Sequence, residues 1–573
     1  MLDDQNAAMK RTMDKLLGEL SIEEKAAQLM VLGLTGTLVE PELLEFIGKY
    51  GLGGLRLSPH LARKFVRYLP EGSPGSENVV RKPSLHEKIF DNGVPPMRIA
   101  AAEYAELLNG LRKRAFEKHG LPLHMVADYE FGGGDFTPPG MLSLPAPMGF
   151  GRLGDTELVR RTSAALGKQL KAIGIDWIHS PVVDVNVNPH NPEIYIRSYG
   201  ENADTVTNCA GAALEGLKAS GVIGCLKHYP GRGACAEDAH FGISAITLSR
   251  KEMLDIHIKP YAALAKAGMI PAVMPAHSVY PGLDDSGEIA TVSAPIITGV
   301  LREELGYDGV ITTDSMTMGG LMAKYSVGEA CVKAIEAGVD LLLLKDENVL
   351  RYELLEALVK AVKSGRISEE RINKSLERVW TLKWNYGLFE NGGIVDAAQT
   401  EKTLLKKEFR EIGREAARKV IHVKRDDDKL LPLDPGKKIL LIDRVIFSQL
   451  SRNDSWNHPA MFWEFMLKYA PGVAYVDYQP HTREKAEAAA SEIMEQIDYI
   501  VVTAHFDRND HDHADKKFLS GLKKFGKPVI LVSSNPYEEL LIPEDIGTVI
   551  VTYGLMRESL EAVSEFLFGG AEK

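Results

Sequence analysis

Short apolar runs alternate with amphipathic stretches along the first two-thirds of the chain, the pattern of parallel strands joined by helices. Eight runs predict strands: Gln28–Gly33, Gly53–Leu57, Leu123–Ala127, Trp177–Val183, Val222–Leu226, Ala272–Met274, Val310–Thr312 and Val339–Leu343. Helical periodicity falls between them over Tyr104–Lys118, Leu158–Ile173, Ala203–Ser220, Lys251–Gly268 and Ala294–Leu305. Ser21-Ile22-Glu23-Glu24 is a capping box, and Ser293-Ala294-Pro295 puts a proline in a first helical turn. Eight strand–helix units in succession predict an α/β fold, a (β/α)8 TIM-like barrel with insertions. Pro70–Val94, rich in Pro, Gly, Ser and charge, breaks the rhythm and reads as an inserted loop near the barrel mouth or a partner surface.

The rhythm changes after Tyr386-Gly387-Leu388-Phe389, where Asn391-Gly392-Gly393 punctuates the chain. A helical connector over Glu401–Lys419 leads into a second alternation, with buried strands predicted at Lys438–Ile442, Tyr499–Thr503, Val529–Ser533 and Val549–Tyr553. At 573 residues the chain exceeds one hydrophobic core. The expected organisation is a barrel over 1–390, a connector over 391–420 and a smaller α/β layer (sandwich) domain over 421–573.

Composition narrows the partners. A formal net charge of −12 argues against nucleic acid or an anionic membrane surface, both of which need basic patches. The opening Met1-Leu2-Asp3-Asp4-Gln5 has neither the basic region nor the apolar core of a signal peptide, and no apolar stretch is long enough to span a bilayer. Cys209, Cys225, Cys235 and Cys331 lack CxxC spacing and read as reduced thiols of a cytoplasmic protein. A homodimer is compatible with the sequence, which leaves the oligomeric state open.

The chemistry should sit at the C-terminal ends of the barrel strands. Polar residues do cluster there: Asp128 and Glu130 after the third run, Asp184 after the fourth, Lys227-His228 after the fifth, His277 after the sixth and Asp314 after the seventh. Asp314, within Thr312-Thr313-Asp314-Ser315-Met316, reads either as a helix-capping carboxylate or as a nucleophile or base at the mouth. In Lys227-His228-Tyr229-Pro230-Gly231-Arg232-Gly233-Ala234-Cys235-Ala236-Glu237-Asp238-Ala239-His240, the two-residue spacing lets Asp238 reach one imidazole nitrogen of His240. A carboxylate so placed fixes the tautomer and raises the basicity of the other nitrogen.

These segments resemble glycoside hydrolase family 3, in particular its β-N-acetylglucosaminidase branch with Lys-His-Phe-Pro-Gly-His-Gly followed by Asp-Ser-His. Asp128-Tyr129-Glu130-Phe131-Gly132-Gly133 is similar to that family's Asp-Gln-Glu-Gly-Gly. Asn188-Pro189 through Arg197-Ser198-Tyr199-Gly200 is similar to its Asn-Pro…Arg-Ser-Phe-Gly, and Met274-Pro275-Ala276-His277 precedes the nucleophile segment as in the family.

The resemblance implies a two-domain retaining exo-β-N-acetylglucosaminidase that removes a non-reducing terminal β-linked N-acetylhexosamine. Asp314 would form the covalent glycosyl-enzyme, and His240, oriented by Asp238, would be the acid/base. Asp128, Arg197, Lys227 and His228 would bind the sugar, with Met274 in the same site. Most glycosidases use a second carboxyl for proton transfer, and many family members take theirs from the second domain. The Asp238–His240 pair therefore favours an N-acetylhexosamine over glucose.

Arg232 and Ala239 replace the His and Ser of the pattern. Arg232 reads either as a surface arginine pairing with Glu237 or as a binder of an anionic substrate group. The implied substrate is a peptidoglycan fragment, a chito-oligosaccharide or another glycoside, handled without cofactor or metal. Alternatives are a β-N-acetylglucosaminide phosphorylase, a β-glucosidase of the same family, or an inactive carbohydrate-binding or scaffold protein.

Outside these segments, His505-Phe506-Asp507-Arg508-Asn509-Asp510-His511-Asp512-His513-Ala514-Asp515 is dense in metal-ligand residue types without a clean zinc spacing, and reads as readily as a solvated loop. Trp177, Trp380 and Trp384 read as core, and Trp456 and Trp463 as interface residues.

Overall fold

A computed structural model describes residues 2–35, 39–58, 100–130, 138, 140–236, 244–345, 350–445, 458–506 and 513–570. Eight strands form one all-parallel sheet: β1 (Met30–Thr35), β2 (Gly54–Ser58), β3 (His124–Ala127), β4 (Trp177–Ile178), β5 (Cys225–Tyr229), β7 (Ala272–Pro275), β9 (Val310–Ser315) and β10 (Leu341–Leu344), in the order β4-β3-β2-β1-β10-β9-β7-β5. Two short strands, β6 (Ser244–Ala245) and β8 (Ser278–Val279), pair beside it. Bridges between Trp177 and Ile223 and between Val182 and Lys227 close the ring, reinforced by Val183 N–H donating to the Lys227 carbonyl at 2.8 Å. All eight predicted runs lie on this ring. Parallel strands buried on both faces need continuous apolar sequence, so these strands stand out.

The helices start and stop where the sequence signals it. The Ser21 hydroxyl accepts from the Glu24 N–H while the Glu24 carboxylate accepts from the Ser21 N–H, closing the predicted capping box. The helix Thr156–Ile173 is capped by Asp155 and ends at Gly174, whose φ of +97° suits glycine. One prediction needs correction: Lys251–Gly268 is not a single α-helix. It divides into Arg250–Glu252, a π-turn over Met253–His257, and Lys259–Lys266. Pro260 cannot donate to the preceding turn, so the helix restarts there. The helix predicted over Ala294–Leu305 is wound as a π-helix over Pro295–Glu304.

A second sheet is built from β11 (His422–Asp426), β12 (Ile439–Arg444), β13 (Val473–Tyr478), β14 (Tyr499–Ala504), β15 (Val529–Ser533) and β16 (Thr548–Val551). Its order is β11-β16-β15-β14-β12-β13, parallel except for the antiparallel edge strand β11. Leu440, Ile442, Ile500 and Val502 pack on one face, and Ile439, Leu441, Val501 and Ile530 on the other, so helices cover both sides. The sheet's first face also gathers Ala146, Met148 and Ile196 from the barrel and Val420 from the connecting helix Lys407–Val420. Tyr537 joins the two parts by polar contact, accepting from Asn186 Nδ2 at 2.9 Å and donating to Glu201 Oε1 at 2.8 Å, while Phe506 stacks edge-on against Tyr195.

Trp177 and Trp380 are buried in the barrel core as expected, and Trp384 packs against Phe389. Trp463 is partly buried in the second unit. Its indole N–H donates to the Val473 carbonyl and its ring packs on Tyr475, inside the second unit. Trp456 and the Pro70–Val94 stretch lie outside the described residues.

Candidate active site

The ends of β3, β4, β5 and β9 bring the strand-end residues to one mouth. Asp128, one residue past β3, takes Arg56 from β2, His179 Nδ1 at 3.0 Å and Lys227 Nζ at 3.7 Å. Burial pushes its carboxyl up, but Arg56, Lys227 and His179 outweigh that and hold it well below the usual carboxylate range. It is an ionised acceptor at neutral pH, and 34% of its side chain stays exposed among partners that are almost wholly buried.

Glu130 sits deeper. Its carboxylate receives a bidentate pair from Arg197, at 2.5 and 2.7 Å, and Lys227 Nζ at 2.6 Å. Burial raises its pKa, and the two cations more than reverse the effect. Glu130 and Asp128 in turn keep Lys227 protonated against burial. Arg197 also donates to the Glu193 carbonyl at 2.8 Å, so it is oriented on three sides.

His228 donates through Nδ1 to the buried Asp184 carboxylate at 2.7 Å. Met274 lies in β7 beside Lys227 in register, buried in the barrel core. Asp314, near the end of β9, is half-buried and accepts from the Ser315 N–H at 2.6 Å. The buried Cys225 thiol, two residues before Lys227 in β5, lies within electrostatic range of Lys227, Asp128 and Asp314 together. His277 is tied down, Nδ1 to Thr291 and Nε2 to the Ser315 carbonyl, bracing the β9 end.

Residues 96–382, half of the chain, match the profile of the glycosyl hydrolase family 3 N-terminal domain. The chain belongs to glycosyl hydrolase family 3. Within the family it is similar to β-hexosaminidase A of Pseudoalteromonas piscicida, 30% identical over 373 residues, covering 61% of this chain and 56% of that protein. It is also similar to a β-N-acetylglucosaminidase/β-glucosidase of Cellulomonas fimi, 29% identical over 349 residues and covering 60% of each. The chain thus spans little more than half the length of these two relatives. Among solved structures, a family 3 β-N-acetylglucosaminidase from Paenibacillus sp. str. FPU-7 superposes with a TM-score of 0.81 at 26% identity, covering 96% of this chain and 97% of that one.

In this family 3 chain the mouth gathers Asp128, Arg197, Lys227, His228 and Asp314, all singled out from sequence. Asp238 and His240 lie outside the described residues, as does Glu237. Arg232 is a correction: it is no surface arginine. It is 1% exposed and held by Glu193 at 2.6 Å and by the Ser278 hydroxyl, because the loop after β5 folds it inward against β8. Arg56, His179 and Glu193 were not anticipated. A lone Arg or His inside an apolar strand run was the available signal for the first two.

Of the metal-ligand run, 507–512 lies outside the described residues. Asp515 is buried against Arg483, and His505 Nδ1 meets Ser534. No group of three or more His, Cys, Asp or Glu residues able to hold a metal occurs among the described residues. The four cysteines are free and buried. No described helix is long and apolar enough to cross a membrane.

Proposed function

We propose that this chain is a retaining exo-β-N-acetylglucosaminidase acting on a small glycoside such as a peptidoglycan fragment or chito-oligosaccharide. The observation that carries the reading is the pairing of a half-buried strand-end carboxylate, Asp314, with an ionised and partly exposed Asp128 braced by Lys227. One is suited to attack and the other to accept hydrogen bonds from sugar hydroxyls. Lys227 and Arg197 supply the complementary donors, and His228 completes the set of sugar-facing residues.

In the first step Asp314 attacks the anomeric carbon while His240 gives its proton to the leaving glycosidic oxygen, and an ester to Asp314 forms. In the second, water attacks the same carbon, His240 takes its proton, and the Asp314 carboxylate is released. Two inversions return the β-anomer. Asp238 orients His240 and stabilises the imidazolium that is present before the first step and restored by the second.

Hydrolysis is favoured over phosphorolysis because Arg232 is turned away into an ion pair with Glu193 and does not offer its charge to an incoming phosphate. The names of the relatives from Pseudoalteromonas and Cellulomonas support the sugar assignment. The test is a panel of p-nitrophenyl β-glycosides with the first-formed anomer followed by NMR, run with and without phosphate. We expect cleavage of the N-acetylglucosaminide with the β-anomer appearing first. Cleavage of the glucoside alone, an α-first product, or a sugar 1-phosphate would overturn the corresponding part.

A further inference from the structure

Asp184 has no role in the reading above, yet both of its carboxylate oxygens are engaged at the mouth. It follows β4, is fully buried, and takes three N–H donors from the end of β5 and the loop that follows it. His228 gives its Nδ1 at 2.7 Å and its backbone N–H at 3.3 Å to Oδ2; the Arg232 backbone N–H gives to Oδ1 at 2.6 Å. The Asp184 carbonyl accepts in turn from the Ser198 hydroxyl at 2.5 Å, in the turn that carries Arg197. Burial raises its pKa, but His228 and the N–H donors reverse this and keep it ionised.

An ionised carboxylate only accepts. His228 must therefore carry a proton on Nδ1, so that whenever the ring is neutral Nε2 is its lone-pair nitrogen. A sugar hydroxyl can then donate to Nε2. The other tautomer would present an N–H and leave a buried lone pair facing a carboxylate.

The same segment grips the rest of the loop. Asn191 Nδ2 donates to the Arg232 carbonyl at 2.9 Å, Asn188 Nδ2 to the Cys235 carbonyl at 3.0 Å, and Glu193 holds the Arg232 guanidinium. Gly233 completes the seam, because a Cβ there would fall 1.6 Å from the Val185 carbonyl oxygen.

We propose that Asp184 is a positioning residue that sets the His228 tautomer presented to the sugar and anchors the loop leading from Lys227-His228 toward residue 236. The inference rests on the glycosidase reading for its kinetic consequence, but not for its structural one.

Two measurements on the full chain test it. The first is the tautomer of His228 in long-range 1H–15N spectra of 15N-histidine-labelled wild-type protein, the resonance being assigned by its loss in His228→Gln. We expect an Nδ1-protonated ring, and an Nε2-protonated ring would overturn the proposal whether or not any glycoside is cleaved. This needs no Asp184 variant, so it decides even where Asp184→Asn fails to fold.

The second is kinetic. Carboxylates that orient metal-ligating histidines are worth about 10–100-fold in affinity or activity, and the same order is expected of one that orients a sugar-facing histidine. Asp184→Asn should cost that much in kcat/KM, mostly through KM, because its amide cannot accept from both His228 and Arg232. Added to His228→Gln, it should cost no more than about twofold further, since its effect runs through the lost imidazole. A full additional loss in that background would show that Asp184 serves only the fold. A wild-type chain that cleaves no glycoside would sink the proposed function while leaving the tautomer result standing.

Discussion

Both sheets of this chain end in buried charge, but the two edges commit that charge differently. The second sheet places β12 between β13 and β14, so consecutive connections leave in opposite directions, the arrangement at which open α/β sheets usually bind ligands. There Asp515 sits between Arg483, at 2.6 Å, and Arg444, at 3.5 Å, while Arg444 lies over the Tyr478 ring and Asp443 takes the Thr503 hydroxyl. The charges face one another. At the barrel mouth the same residue types form a comparable buried cluster, yet Asp128 keeps a third of its side chain open. Strand-end position brings charge to both edges; a partly exposed acceptor among buried partners is what distinguishes the barrel mouth.

The sharpest way to break this contrast is Asp314→Asn. Loss of a nucleophile should lower kcat on an aryl N-acetylglucosaminide by more than about 10⁴-fold, and His240→Ala by about 10²–10⁴-fold, both read by initial rates. A retained rate in Asp314→Asn would place the chemistry elsewhere.

The next comparison pits the two clusters against each other. Glu130→Gln strips a carboxylate from buried Arg197 and Lys227, and Asp515→Asn does the same to Arg444 and Arg483. Each should cost about 3–5 kcal/mol by calorimetry. Only Glu130→Gln should also raise KM; Asp515→Asn should leave kcat/KM of the folded protein within about twofold.

Glu558 gives a pH-dependent effect confined to the second unit. Burial lifts its carboxyl from 4.5 to about 7, with Arg557 and Arg410 opposing and Glu561 adding to the rise. Between those values the folded chain holds a proton that the unfolded chain releases. The stabilisation is complete below 4.5 and is lost as pH rises through 7. Glu558→Gln, which imitates the protonated form, should therefore raise the melting temperature at pH 8 and change it little near pH 4.5, a differential of about 3 kcal/mol. Equal shifts at both pH values would refute it.

The smallest effect is expected at the junction. Tyr537→Phe removes hydrogen bonds to Asn186 and Glu201, each worth about 1 kcal/mol. Stability should fall by that order, and KM should rise no more than a few-fold through the 186–201 segment that carries Arg197.

Sequence pattern revealed most of this fold because parallel strands covered on both faces announce themselves as apolar runs. β11 escaped because His422–Asp426 is a charged, half-exposed antiparallel edge, and β13 because its alternation over Val473–Tyr478 is interrupted by the partly exposed Tyr475 and the exposed Asp477. In the site, strand-end residues were legible and their pairings were not. Arg232 read either as a surface residue or as an anion binder because the carboxylate that draws it inward, Glu193, lies 39 positions away. Arg56 and His179 were hidden inside runs read only for their hydrophobicity. Distance along the chain, not chemistry, set that limit.

The apolar seam between the two units has a practical meaning for anyone dividing this protein. Ala146, Met148 and Ile196 belong to the core of the second sheet as much as Leu440 or Val502 do. A fragment ending at Val420 would carry a sticky wound on its rim, beside the segment that orients Arg197. Grafting a different second unit onto this barrel would require matching that surface before any question of specificity arose.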